Sequence, residues 1–221
     1  LFINSNQGYI KKKGANFIEN SNSEDSGSLF FDADNDGDLD LYVCSGGVEF
    51  SQYSPSFLDR LYFNDGKGNF TLSEQKLPTA SDVHSTSTVT ASDIDNDGDL
   101  DLFVGERTIP LKYGAPCSGF LLENDGKGHF TDITSGNSEV LEGIGMITDA
   151  VFADIDGDQD EDLLVVGEFM GIEVLINTNG KFSRLAENTL KNKKGWWNTI
   201  EKADLDNDGD HEFIIVQGGK V

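Results

Sequence analysis

Short runs that alternate between apolar and polar residues recur along the whole chain, and glycine, asparagine or aspartate interrupts each of them. The run from Leu100 to Val104 is typical, because it is rich in β-branched and aromatic residues and follows a turn-forming segment. No stretch has a convincing helical period. The pattern therefore predicts an all-β chain of short strands joined by tight turns.

The predicted strands fall into similar groups. Complete groups of four lie near 28–32, 39–45, 60–64 and 69–74, then 86–92, 100–105, 119–123 and 129–134, then 147–153, 162–167, 172–177 and 181–185. Residues 1–12 predict two further strands around a turn, and a last pair is expected near 197–203 and 212–217. Four antiparallel strands per repeat are typical of β-propeller blades.

We therefore interpret residues 1–221 as one partial propeller, with complete blades at 28–74, 86–135 and 147–186 and half blades at 1–20 and 197–221. The two half blades could complete each other and close a four-bladed ring. Alternatively, the chain is an open piece of a larger ring, with additional blades or domains in a longer parent protein. Leu1 is not an initiator methionine, which favours the second expectation.

Each of the last four repeats begins with an acidic loop of nine residues, at 32–40, 93–101, 154–162 and 204–212. Carboxylates occupy positions 1, 3, 5, 7 and 9, and glycine at position 6 permits a sharp turn. So many oxygen ligands around a flexible loop favour calcium, with a carbonyl from position 7. The candidate ligands are Asp32, Asp34, Asp36, Asp38, Asp40, Asp93, Asp95, Asp97, Asp99, Asp101, Asp154, Asp156, Asp158, Asp160, Asp162, Asp204, Asp206, Asp208, Asp210 and Glu212.

The loop differs from an EF-hand, which needs a bidentate glutamate at position 12. That position is apolar in all four copies: Val43, Val104, Val165 and Ile215. Histidine and cysteine are absent from the coordinating positions, which argues against zinc or copper. A solvated acidic turn is the alternative for one copy, but four copies make it a poor explanation. The sequence thus predicts up to four calcium ions.

Two loops depart from the pattern. The third has Gln159 at position 6, so either Gly157 takes over the turn or that site is weaker. The fourth ends in Glu212, whose longer side chain can still be bidentate.

The negative charge of the chain is concentrated in the acidic loops. The formal charge is −24, but 21 of the 40 acidic residues lie in the four loops. The sequence therefore predicts neither a nucleic-acid partner nor membrane insertion, since the chain is acidic and has no apolar run long enough to span a bilayer. Cys44 and Cys117 are too few for a disulfide framework, and either a pair or two free thiols fits the sequence.

The acidic loops occur together with glycine hairpins such as residues 61–71, Leu-Tyr-Phe-Asn-Asp-Gly-Lys-Gly-Asn-Phe-Thr. This combination resembles FG-GAP/VCBS repeats, the calcium-bearing blades of integrin α-subunits and many secreted bacterial proteins. Residues 145–150 and 195–200 resemble the bacterial surface branch that carries ASPIC/UnbV-type domains. The resemblance implies an integrin-like propeller, calcium held at positions 1, 3, 5 and 9, and an extracellular or cell-surface location, but it names no ligand.

In such a blade the acidic loop and the glycine hairpin share one rim. The opposite rim carries the variable loops, where a ligand would bind. The candidate ligand-binding residues there are Tyr53, Phe57, Tyr113, Trp196 and Trp197, although packing between blades is the alternative for the two tryptophans.

The main functional hypothesis is a non-enzymatic recognition or adhesion module for a protein or a glycan. A calcium-dependent carbohydrate-active enzyme, such as a polysaccharide lyase, and a purely structural scaffold are the alternatives. Catalytic motifs are absent, and the remaining candidate acid/base groups are Glu106, Glu168, Asp149 and His84.

Overall fold

The computed structural model describes residues 2–5, 8–11, 17, 20–51, 54–80 and 84–219. Within them the strands are β1 (Phe2–Ser5), β2 (Gly8–Lys11), β3 (Asp25–Phe31), β4 (Asp40–Ser45), β5 (Arg60–Asn64), β6 (Phe70–Leu72), β7 (Ser85–Ser92), β8 (Asp101–Thr108), β9 (Gly119–Asn124), β10 (Phe130–Asp132), β11 (Met146–Ala153), β12 (Asp162–Met170), β13 (Glu173–Thr178), β14 (Lys181–Arg184), β15 (Gly195–Ala203) and β16 (Glu212–Gln217). The helices are short: α1 (Ser138–Leu141) and 3-10 turns at Pro55–Phe57, Pro78–Ala80 and Thr134–Asn137.

The strands form three four-stranded antiparallel sheets, each in simple up-and-down order: β3 to β6, β7 to β10 and β11 to β14. We call them blades one, two and three. β15 and β16 form a hairpin, called here the fourth unit, whose first strand also pairs with the end of β12. β1 and β2 form a separate hairpin. The predicted all-β, partial propeller fold is confirmed.

The hydrophobic core lies between the blades, because each second strand buries residues on both faces. Tyr42 and Cys44 of blade one pack against Leu102 and Val104 of blade two. Phe103 then points the other way, into the core shared with blade three. This alternation along a strand with two buried faces stacks the sheets face to face.

A bulge in each first strand joins one blade to the next. The hydroxyl groups of Ser26, Ser87 and Thr148 donate hydrogen bonds to the carbonyl oxygens of Thr86, Ile147 and Trp197, each at 2.8 Å. In every case the acceptor belongs to the first strand of the following unit. The first strands therefore lie side by side, where β3 contacts β7, β7 contacts β11 and β11 contacts β15.

Cys44 and Cys117 are both buried and free, so no disulfide links the blades at these residues. Burial raises the pKa of the Cys117 thiol to about 12. A thiol with so high a pKa is protonated at neutral pH and is a poor nucleophile.

Candidate metal centres and the opposite rim

The acidic loops join the first and second strands, and the carboxylate at position 9 fixes each of them. Asp40 accepts hydrogen bonds from the backbone N–H of Ala33 at 3.0 Å and of Asn64 at 2.8 Å. Asp101 and Asp162 make the same pair of bonds in blades two and three. Because one bond reaches the loop and the other the glycine hairpin, both turns lie on one rim. The expected arrangement of that rim is confirmed.

Each loop turns through two residues with positive φ, at positions 4 and 6. Position 4 is Asn35, Asn96, Gly157 or Asn207, and position 6 is Gly37, Gly98, Gln159 or Gly209. The expectation that Gly157 takes over the turn from the missing glycine is wrong, because Gln159 at position 6 adopts a positive φ itself. Gln159 itself adopts φ 78°, a left-handed conformation that costs a residue with a Cβ about 1–2 kcal/mol.

Among the described residues, four groups of carboxylates bring one oxygen each to within 4.8 Å of one another. The groups are Asp32, Asp34 and Asp36; Asp93, Asp95 and Asp101; Asp154, Asp156 and Asp162; and Asp204, Asp206 and Glu212. Each predicted loop therefore supplies one cluster, drawn from positions 1, 3, 5 and 9. All the ligand atoms are carboxylate oxygens, the donors that calcium prefers.

The electrostatics of these clusters fit a cation. The oxygen atoms Asp32 Oδ1 and Asp34 Oδ1 are buried and have no hydrogen-bond partner among the described residues. Burial, together with the neighbouring carboxylates, raises the pKa of Asp34 and of Asp95, and burial raises that of Asp101 to about 7. Crowded carboxylates that repel one another are stabilised by a bound positive charge. The acidic clusters could therefore hold metal ions.

The side chains at position 7 link the acidic loops of adjacent blades. Asp99 accepts a hydrogen bond from Asn35 Nδ2 of the preceding blade at 2.5 Å, and Asp160 accepts one from Asn96 Nδ2 at 2.8 Å. Neither side chain belongs to the metal clusters described above. The loops of adjacent blades are thus joined to one another along the rim.

A buried asparagine near the end of the third strand adds a second link in blades two and three. Asn124 Nδ2 donates to the carbonyl oxygen of Ala33 in blade one at 2.9 Å, and Asn177 Nδ2 donates to that of Ile94 in blade two at 2.8 Å. The acceptors occupy position 2 of the preceding acidic loop. The glycine hairpins of blades two and three are therefore attached to the acidic loop of the preceding blade.

The predicted ligand-binding residues of the opposite rim differ in their solvent exposure. Tyr113 is 56% exposed and Trp196 is 42% exposed. Phe57 is buried at 1%, so its ring belongs to the core and is not available as an exposed contact. Trp197 packs against the core between blade three and the fourth unit, and its Nε1 donates to the carbonyl oxygen of Met170 at 3.1 Å. Tyr53 lies outside the described residues.

The model of the FG-GAP-like repeat family matches residues 32–104 and 154–215, which is more than half of the chain. The chain belongs to the FG-GAP-like repeat family. The two matched segments contain all four acidic loops of this FG-GAP array. A search of curated proteins gives no match.

The candidate acid/base groups of the FG-GAP array are tied into its packing. Glu106 pairs with His84 Nδ1 at 2.6 Å, and Glu168 pairs with Arg107, whose Nε lies at 2.9 Å. Asp149 accepts hydrogen bonds from Thr88, Thr199 and the N–H of Ile200, which join three consecutive units. These contacts give each group a structural role.

One exposed residue of this rim was missed from the sequence. Phe169 is 56% exposed, has φ 58° and lies with its ring centroid 5.5 Å from that of Trp196. It continues the apolar run of β12, so its sequence position resembles that of a core residue. Its exposure is seen only in the folded structure, at the irregularity where β12 pairs with β15.

None of the helices in the described part of the FG-GAP array is long and apolar enough to cross a membrane.

Proposed function

We propose that this FG-GAP array is a calcium-binding recognition module that works outside the cell or on its surface, with a protein or carbohydrate ligand on the rim opposite the acidic loops. Weak calcium sites suffice there because extracellular modules bind with Kd values of about 10⁻⁴ to 10⁻³ M. The resemblance of residues 145–150 and 195–200 to bacterial surface proteins supports this location. Calcium has a structural role in the proposal.

The observation that carries the proposal is a group of exposed aromatic residues on that rim, which we call the aromatic patch: Tyr113, Phe169 and Trp196. Tyr113 donates a hydrogen bond from its hydroxyl to Glu168, the residue before Phe169. Glu168 is opposite Trp196 in the pairing of β12 with β15, and Trp196 contacts Phe169. Exposed aromatic side chains on a rigid scaffold are the usual anchors of binding sites.

Binding to a glycan array and to purified surface proteins, with saturating calcium, tests the proposal. Trp196→Ala should reduce the affinity of any ligand found by about thirtyfold or more, the usual loss for an aromatic anchor. Because Trp196 is partly exposed, the melting temperature should change little. Tyr9→Ala removes another exposed aromatic residue and is the matched control.

Unchanged affinity after Trp196→Ala, or an equal loss after Tyr9→Ala, would contradict the location of the site. Release of unsaturated sugar products during the same assay would favour a lyase over a recognition module.

Native mass spectrometry with added calcium tests the metal assignment separately. We expect discrete uptake of up to four ions, reversed by a chelator, and little uptake of magnesium at equal concentration, because magnesium demands a stricter octahedral geometry. Asp95→Asn should reduce the uptake by one ion, whereas Asn207→Asp, which leaves the clustered carboxylates in place, should not. The absence of discrete uptake would contradict the calcium assignment.

A further inference from the structure

Phe169 combines backbone strain with exposure. It lies at an irregularity where β12 pairs with β15, between the pairs Glu168 with Trp196 and Met170 with Gly195. Its φ of 58° is unfavourable for a bulky residue, and glycine is the usual residue in a bulge of this conformation. Because 56% of the residue stays exposed, burial of the ring does not offset the strain. Strain that the fold does not need is a sign of a functional contact.

Leu111 has the same two properties. Its φ is 66° and it is 80% exposed, two residues before Tyr113. The other described residues with positive φ are glycines, asparagines and Gln159. Of the two strained, bulky apolar residues of the described chain, Phe169 thus belongs to the aromatic patch and Leu111 lies in the loop that carries Tyr113.

Positive charge is concentrated beside this patch. Lys191, Lys193 and Lys194 are exposed and immediately precede Gly195 and Trp196, and the one acidic residue of the segment 185–194 is Glu187. The carboxylate of Glu168 is already paired with Arg107. In a chain with a formal charge of −24, three clustered lysines create a local field of opposite sign, which attracts an anionic ligand.

The lysine segment is held against the turn that follows β12. The N–H of Ile172 donates to the carbonyl oxygen of Leu190 at 3.4 Å, and Asn188 Nδ2 donates to the carbonyl oxygen of Ile172 at 2.8 Å. Gly171 lies so close to the backbone of Lys191 that a Cβ has no room. Phe169 lies two residues before this turn and Trp196 lies two residues after Lys194, so both neighbours of the lysine segment belong to or adjoin the aromatic patch.

We propose that the ligand of this rim is an acidic polysaccharide whose sugar rings lie on Phe169 and Trp196 and whose carboxylate groups pair with Lys191, Lys193 and Lys194. The C–H hydrogens of a pyranose face carry partial positive charge and suit the negative face of an aromatic ring. An acidic peptide offers the charge without a rigid C–H face. This inference rests on the proposed function and adds the chemistry of the ligand.

Affinity measurements in saturating calcium should use four probes of similar length: a hyaluronan octasaccharide, a neutral N-acetylglucosamine oligomer, an oligoglutamate and a single-stranded oligonucleotide. We expect hyaluronan to bind at least about tenfold more tightly than the other three, and its affinity to fall as salt rises. The double variant Lys191→Gln/Lys193→Gln should lower hyaluronan affinity by about tenfold. The double variant Lys67→Gln/Lys127→Gln changes the net charge equally on the other rim and should not.

Phe169→Gly provides a signature that a structural role would not give. Glycine relieves the positive φ, so the melting temperature should rise or stay unchanged while hyaluronan affinity falls by about tenfold. A variant that loses affinity only in proportion to lost stability would overturn the role of Phe169.

Equal binding of neutral and acidic sugars, or of oligoglutamate and hyaluronan, would overturn the assignment of an acidic polysaccharide. Tighter binding of the oligonucleotide would do the same. If no sugar binds but a protein ligand is lost on Trp196→Ala, this inference is wrong and the proposed function stands. If no ligand of any class depends on Trp196, both are wrong.

Discussion

Asn177→Ala tests whether hydrogen bonds between the blades stabilise the array. Asn177 is fully buried, and its Nδ2 donates to the carbonyl oxygen of Ile94 in blade two, while its Oδ1 accepts from the N–H of Gly180 at 2.9 Å. Alanine leaves the buried carbonyl oxygen of Ile94 without this partner and removes the partly buried bond from Gly180. A buried orphan costs about 1–3 kcal/mol and a lost hydrogen bond about 0.5–1.5 kcal/mol, so we expect a loss of about 3 kcal/mol in the free energy of unfolding.

Asn64 is the matched control within the same chain. It makes the equivalent local bonds, from its Nδ2 to the carbonyl oxygen of Leu39 and from the N–H of Gly68 to its Oδ1, of which the first is exposed to water and the second is partly buried. Water can replace the lost bonds, so Asn64→Ala should cost about 1 kcal/mol. The difference between the two variants then measures the link to the neighbouring blade.

Urea unfolding in saturating calcium, followed by tryptophan fluorescence and circular dichroism, gives the two free energies. For a chain of 221 residues, about 2–4 °C of melting temperature per kcal/mol predicts a drop of roughly 6–12 °C for Asn177→Ala. Asn124→Ala should behave like Asn177→Ala. Equal losses for Asn64→Ala and Asn177→Ala would refute the claim that these asparagines join the blades.

Three further outcomes follow from the metal rim and the core. Gln159→Gly should raise the free energy of unfolding by about 0.5–1 kcal/mol, because glycine adopts the positive φ without the Cβ penalty, and Gly98→Gln should lower it by a similar amount. Equal stability of the two variants and the parent protein in thermal melts would contradict this. With a chelator present, the free energy of unfolding should fall as the pH rises from 3.8 to about 7, because the raised pKa of Asp101 means that its carboxyl group binds a proton more tightly in the folded than in the unfolded state. Thermal melts across that range should show this loss of stability, and saturating calcium should remove it. Cys44 and Cys117 should react with a thiol reagent only after urea unfolding, and fast labelling of the folded protein would contradict their burial.

The sequence was sufficient for the strands and for the metal clusters. Both depend on neighbouring residues: alternation along a run specifies a strand, and carboxylates two residues apart around one turn converge without help from distant parts of the chain. The loops at 93–101 and 154–162 therefore lie where the pattern placed them, and their carboxylates at positions 1, 3 and 9 come together.

The sequence was not sufficient for features that depend on a neighbouring blade. Phe57 and Trp196 are both aromatic residues in variable loops, yet only the second stays exposed, because packing against distant residues decides burial. Phe169 continues the apolar run of β12 in the sequence, yet it is exposed in the structure, where β12 pairs irregularly with β15. The hydrogen bond from Asn177 to Ile94 spans 83 residues of sequence, and no local pattern marks its acceptor. Local periodicity determined the blades and their acidic loops, whereas the stacking of one blade on the next decided which side chains are buried and which stay exposed.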